Sequence, residues 1–179
     1  MEPRKVILYI SMSVDGFIST LDDDISWLNI VQNGDEDYGY AAFTKDVDTY
    51  IVGRTTYDVV VSLCDGVFPQ ASDYDCYIIT RDKNKHAEDV TFYSGDLSTL
   101  IQRLKQQPGK NIYCDGGSEI VRLLMDANLI DEYIISVIPT ILGDGKRLFK
   151  GGVNDIKLSL KSSKQYESGL VQLHYVRNT

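Results

Sequence analysis

Two segments of this chain share a pattern that restricts its fold more than any other feature. Tyr50-Ile-Val-Gly-Arg-Thr-Thr-Tyr-Asp58 and Ile112-Tyr-Cys-Asp-Gly-Gly-Ser-Glu-Ile120 each run from apolar, β-prone residues through glycine into polar residues that can open a helix. Strands that feed helices in this way build α/β proteins. Glycine lets a backbone come close to a ligand, and the first N–H groups of a helix have no internal partners, which is the layout of a phosphate-binding turn. Arg54, Thr55 and Thr56 add a guanidinium and two hydroxyls that suit phosphoryl oxygens. Two such turns point to a ligand with more than one anionic group, a dinucleotide above all. Taken singly, Gly53 and the Gly116-Gly117 pair read equally well as plain turn residues. The Rossmann fingerprint G-x-G-x-x-G is absent, because the first strand leads instead into Ser11-Met-Ser-Val-Asp-Gly-Phe-Ile18. A dinucleotide site here must be of another kind.

The rest of the chain supports one unit. With 179 residues, 43% of them hydrophobic, the sequence predicts a single globular domain over 1–179 with a full core. A net charge of −8 argues against a broad nucleic-acid surface, while leaving room for a few local cations on a phosphorylated cofactor. Cys64, Cys76 and Cys114 lack metal-ligand or C-x-x-C spacing and read as reduced, partly buried thiols in the cytoplasm. His86 and His174 stand alone, so neither a zinc site nor a Ser-His-Asp triad has much to build on. No signal peptide or membrane span is visible.

Lys5 to Ser11 is a near-continuous apolar run, as for a strand covered on both faces. Residues 13–36 read as a long loop, with Trp27 inside it, and a loop of that length is usually a lid or binding loop. A helix is expected over 37–46, a strand over 49–52 and a helix over 55–62, although Val59-Val60-Val61 is equally strand-like. Short strands follow at 76–80 and 90–93. Leu97, Leu100, Ile101 and Leu104 mark an amphipathic helix that Pro108-Gly109 ends. A strand at 111–114, a helix carrying Ile120, Leu123, Leu124 and Ala127, and a strand at 132–138 come next. The alternating Ile156, Leu158, Leu160 and Val171, Leu173, Tyr175 flank Glu167-Ser168-Gly169 as an antiparallel hairpin. The sum is an α/β fold: a mainly parallel sheet of about eight strands, an antiparallel C-terminal hairpin and about four flanking helices.

At this level the chain resembles the dihydrofolate reductase superfamily, and most closely the branch of the reductase domain of the bifunctional riboflavin-biosynthesis deaminase/reductase. The resemblance rests on Ser11–Ile18, Val52-Gly-Arg-Thr-Thr-Tyr-Asp58, Thr80-Arg81, Asp115-Gly-Gly-Ser-Glu-Ile-Val-Arg-Leu-Leu124, Leu129-Ile-Asp-Glu-Tyr133 and Pro139-Thr-Ile-Leu-Gly-Asp-Gly-Lys-Arg-Leu-Phe149, in family order over nearly the whole chain. It implies an NADPH-dependent reductase of a small heterocyclic molecule, often a homodimer. The named candidates are 5-amino-6-(5-phosphoribosylamino)uracil and a pterin. It also implies that Gly53, Arg54, Thr55 and Thr56 hold cofactor phosphates, and that Thr80 and Arg81 lie near the adenosine ribose. Gly116, Gly117 and Ser118 would meet the pyrophosphate, with the diglycine joined by a cis peptide.

Hydride transfer also needs a proton, and with no well-placed histidine the candidates are carboxylates. Asp37, sixteen residues before Gly53, falls by the resemblance near the substrate-binding carboxylate of dihydrofolate reductases. Acidic residues at a helix start are also ordinary. Asp15 lies in a Ser-x-Asp-Gly motif shared with the riboflavin reductases, where it is either functional or a turn-forming Asp-Gly. Trp27 either closes over the nicotinamide or packs into the core. Asp22-Asp23-Asp24 reads as a solvated turn, so no metal is expected. The alternative to an enzyme is a non-catalytic nucleotide-binding or dimeric scaffold of the same fold.

Overall fold

In the computed structural model, residues 3–152 and 155–178 are described. The chain opens with β1 (Val6–Ser13), whose buried Val6, Ile7 and Leu8 fit a strand covered on both faces. There follow β2 (Phe17–Ser19), a 3₁₀ turn over Ser26–Val31, α1 (Tyr40–Thr44), β3 (Val47–Gly53) and α2 (Arg54–Leu63). Next come β4 (Asp75–Ile79), β5 (Thr91–Tyr93), α3 (Leu97–Gln106), β6 (Asn111–Gly116), α4 (Ser118–Asp126) and β7 (Glu132–Ile138). The short β8 (Lys146–Arg147) precedes the closing hairpin of β9 (Leu158–Gln165) and β10 (Val171–Arg177). No helix among the described residues is long and apolar enough to cross a membrane.

Eight strands form one sheet in the order β5-β4-β3-β6-β1-β7-β10-β9. Strands β5 through β7 of that order run parallel, and β10 and β9 are antiparallel, as the sequence predicts. Alternation sends neighbouring side chains to opposite faces. Leu8, Ile51, Ile112 and Cys114 pack under α3 and α4, whereas Tyr50, Val52, Ile78 and Tyr113 pack under α1 and α2. Helix α3 buries Leu97, Leu100, Ile101 and Leu104 along one stripe, and the Asp96 carboxylate caps it by accepting the Thr99 N–H at 2.7 Å.

Two expectations change in detail. The first helix spans only Tyr40–Thr44, not 37–46, because Tyr38 and Gly39 take left-handed backbone angles (φ 55° and 82°). The second is the segment 13–36, which is partly ordered structure. Strand β2 pairs antiparallel with β8, and Gly145 is required there because a side chain would collide with the Ser19 carbonyl oxygen. Lys146 adds an ion pair to Asp23 at 2.5 Å, which ties the acidic turn to β8. The triple valine of α2 is helical.

Charge is concentrated where the parallel strands begin. Arg4 is buried and reaches Asp48 and Thr49 at 2.5 and 2.6 Å. Burial discourages ionisation of Glu132, but Lys5 at 2.8 Å, His174 at 2.6 Å and Lys161 at 3.3 Å more than reverse this, and its pKa falls to about 2. In the unfolded chain it would protonate near about 4.3. Its stabilisation is therefore complete above about pH 4.3 and is lost as pH falls through about 2. Glu132→Gln should cost about 2–3 kcal/mol at neutral pH, with the difference from the parent protein closing near pH 2. Urea unfolding at the two pH values measures this, and an equal loss at both would assign the effect to packing instead of charge.

Candidate functional site

Both glycine junctions end neighbouring strands. Val52 of β3 pairs with Gly116 of β6, so the starts of α2 and α4 lie side by side. A Cβ placed on Gly53 would meet the Gly117 nitrogen at 3.5 Å, the Gly116 oxygen at 3.6 Å and Ile120 at 3.1 Å. One placed on Gly117 would meet the Thr56 hydroxyl oxygen at 3.2 Å. Helix α3 has a side-chain cap, but α2 and α4 are preceded by glycine and have none. Their first N–H groups are thus left for solvent or a ligand, as an anion site requires. The Gly116–Gly117 peptide is cis.

Gly53, Thr56, Gly116, Gly117 and the buried Ser118 therefore meet in one place. Thr55 is exposed on the first turn of α2. Arg54 turns along its own helix, gripping Asp58 with Nε at 2.7 and 2.8 Å and standing 5.6 Å from the Phe92 ring centre. Thr80 follows directly after Ile79, the residue that pairs with Gly53, and its hydroxyl accepts the Asp82 N–H at 3.1 Å. Arg81 is exposed and makes no hydrogen bond or ion pair among the described residues. It is the cation at this strand end that a ligand can engage without breaking an existing contact.

The expected carboxylates lie elsewhere. Asp37 lines a cavity of about 470 Å³ over β1, β7 and α1, together with Tyr9, Tyr40 and Ser136. Its carboxylate accepts the Gly39 and Ala41 N–H groups at 2.9 Å each, which holds it below the usual carboxylate range. Asp15 accepts the Ser13 hydroxyl at 2.6 Å and the Gly143 and Leu142 N–H groups at 2.7 and 3.2 Å, so it fastens the 139–145 loop to the end of β1. These bonds depress its pKa, with the Ser13 hydroxyl foremost. Trp27 packs beside Val31, Ile138, Tyr166 and Leu170, and its buried indole N–H has no hydrogen-bond partner among the described residues. Cys76 and Cys114 are buried, which pushes both thiols up to about 12 and leaves them protonated.

One residue escaped the sequence reading as an ionisable group. Asp115, immediately before the diglycine, accepts the Tyr113 hydroxyl at 2.8 Å and a short hydrogen bond from Tyr50. Burial raises its pKa to about 6, and the two hydroxyls offset part of that rise. The signal lay in the register. Tyr50 pairs with Tyr113, and period-two alternation puts Asp115 on the same face as both.

A dihydrofolate reductase-like fold and two open helix starts above the strand ends define the class of protein. Residues 67–172 match the RibD C-terminal domain, and the chain belongs to that family of reductase-like domains. The uncharacterized protein YwjB of Bacillus subtilis (strain 168) is 44% identical over 97% of this chain and 98% of its own. A structure from Shewanella sp. PV-4, provisionally named as a riboflavin biosynthesis protein, superposes with a TM-score of 0.89 at 27% identity, covering 98% of this chain and 99% of that one. The Thermotoga maritima diaminohydroxyphosphoribosylaminopyrimidine deaminase/5-amino-6-(5-phosphoribosylamino)uracil reductase shares the fold (TM-score 0.74, 15% identity). It matches 99% of this chain over 57% of its own length.

The Asp115 carboxyl should titrate with a midpoint near about 6 when followed by carbon NMR. Because Tyr50 donates to the ionised form, Tyr50→Phe should move that midpoint upward. The folded pKa exceeds the unfolded value of about 3.9, so this group weakens folding as pH rises from there through about 6. An Asp115 midpoint in the ordinary range would refute the buried, tyrosine-bound carboxyl.

Proposed function

We propose that the chain is a cytoplasmic, single-domain NADPH-dependent reductase of a small heterocyclic substrate. In this reading it is related in activity to reduction of 5-amino-6-(5-phosphoribosylamino)uracil or of a pterin. The observation that carries the proposal is the meeting of two uncapped helix starts at the ends of β3 and β6, in a chain whose sheet also carries a cavity of about 470 Å³ over β1, β7 and α1. The residues present fit a pyridine dinucleotide. Gly53 and Gly117 leave backbone space that a side chain would fill, and Thr56 and Ser118 bring hydroxyls to the same spot. Arg81 is free to take a 2′-phosphate.

In this reading the bound cofactor supplies a hydride to a C=N or C=O carbon. The chain's own part is placement and proton handling. The N–H groups opening α2 and α4 would take the pyrophosphate oxygens, with Thr55 and Thr56 as further donors. Arg54 would reach a phosphate by exchanging its bond to Asp58. Tyr9, Tyr40 and Asp37 would hold the heterocycle over β1, with Trp27 packed behind the cavity wall. Asp15 keeps the 139–145 loop closed on β1. Asp115, buried against Tyr50 and Tyr113, holds a proton below about pH 6.

Two measurements test the reading. NADPH should bind more tightly than NADH, and Arg81→Ala should weaken NADPH roughly ten- to a hundredfold while hardly changing NADH. Equal affinity for the two cofactors in the parent protein would sink the Arg81 assignment. Stoichiometric NADPH binding without oxidation over a panel of pyrimidines and pterins would favour a binding protein over an enzyme.

A homodimer is the second part of the proposal. Strand β9 forms a sheet edge on which Leu158 and Leu160 are exposed, and Ile141 and Phe149 are exposed in and beside the 139–149 loop. A two-fold interface would cover both groups. Sedimentation at micromolar concentration should give about twice the 20.1 kDa chain mass, and a monomer would refute the dimer.

A further inference from the structure

The cavity over β1 and β7 has a distinct charge character. Its floor and walls are neutral: Tyr9, Tyr40, Ser11 and Ser136 on one side, Leu28 and Leu170 on another. Its rim carries Glu36 and Asp37, and among the described residues no lysine, arginine or histidine lines it. The Asp37 carboxylate is exposed and fixed in its ionised form by two backbone N–H groups. Glu36 is also exposed, and accepts the Tyr38 N–H at 3.0 Å. Lys164 lines the adjoining hollow, which shares Asn33, Glu36 and Tyr38 with this cavity. It stands 4.2 Å from the Tyr166 ring centre, and its charge already favours the ionised Asp37.

A phosphate ester arriving at this rim would bring two negative charges toward two carboxylates, with no cation in the cavity lining among the described residues and Lys164 of the adjoining hollow stacked on Tyr166 and facing Asp37. Like charges at short range disfavour binding, and a site that selects an anion provides donors or cations for it. Flat aromatic walls and neutral donors suit a planar heterocycle instead. The paired anion sites of the chain are at the glycine junctions, on neighbouring strands β3 and β6, and are accounted for by the cofactor.

We infer that this cavity takes a neutral or cationic heterocycle without a phosphate group, so that the substrate differs in charge class from a phosphoribosyl pyrimidine. The inference rests on the proposed reductase function only in treating this cavity as the substrate site. Within that reading it chooses between the two candidate substrates: the phosphorylated one is rejected by charge. It also places the protein after a dephosphorylating reaction, or on a compound that never carried phosphate.

The test compares 5-amino-6-ribosylaminouracil with its own 5′-phosphate, following the fluorescence of Trp27, the chain's one tryptophan, which packs behind the cavity. The pair is measured with and without NADPH. The unphosphorylated compound should bind at least about tenfold more tightly, and the gap should shrink in high salt as like-charge repulsion is screened. Glu36→Gln should narrow the gap several-fold, and Asp37→Asn serves as a second variant if the first is unstable. Equal or tighter binding of the phosphate ester, or failure of both compounds to bind, overturns the inference. Failure of NADPH to bind sinks the reductase reading instead, and the ratio in cofactor-free protein still decides the charge class.

Discussion

The insertion of β6 between β1 and β3 is the arrangement on which the rest of the structure depends. Without it, the junctions at Gly53 and Gly116 would end separate strands on different parts of the sheet. With it, Val52 pairs with Gly116, and two helix starts share one small volume above the strand ends. Parallel pairing demands helical crossovers, so α3 and α4 lie across one face and bury Leu100, Ile101, Val121 and Leu124 against Leu8 and Ile51. That burial holds the strand order, and the strand order makes the candidate site.

The two ends of the parallel strands are treated differently. At their beginnings, buried charges are paired: Arg4 with Asp48, and Glu132 with Lys5, Lys161 and His174. A buried charge without a partner would destabilise the fold severely, so this end is closed. At the opposite end, α2 and α4 keep their first N–H groups unmatched by any side chain, and Arg81 is unpaired among the described residues. Polar groups left open at one end of a well-satisfied sheet are a place for a ligand.

Between the glycine junctions and the cavity over β1 and β7 lies a layer of tyrosines. Tyr9 stacks on Phe43 at 4.6 Å and meets Tyr113 edge-on at 6.1 Å, and Tyr113 meets Tyr50 at 4.9 Å. Tyr50 and Tyr113 both donate to Asp115, while Tyr9 faces the cavity and reaches Tyr38 and Gln172. One packed aromatic layer thus connects a carboxyl whose pKa burial raises to about 6 with the wall of the cavity. Changes in that layer would reach both places at once.

The sequence by itself determined the strands, the long helices and the glycine junctions. Their causes are local: a near-continuous apolar run in β1, two-residue alternation in β10, a four-residue apolar stripe in α3, and glycine before α2 and α4. The short pieces were not legible. Strand β2 and β8 are too brief to show a period and exist because they pair across the chain, and α1 is cut short by the left-handed turn at Tyr38 and Gly39. The same division holds at the candidate site. The residues of both glycine turns were readable in order, but tertiary structure alone decided that they touch, that Arg54 is held by Asp58 while Arg81 is not, and that Asp15 is spent on a loop. It alone gave Asp115 its tyrosine partners and raised pKa, because a carboxyl's environment depends on strand register and burial, and both are set by residues far away in the chain.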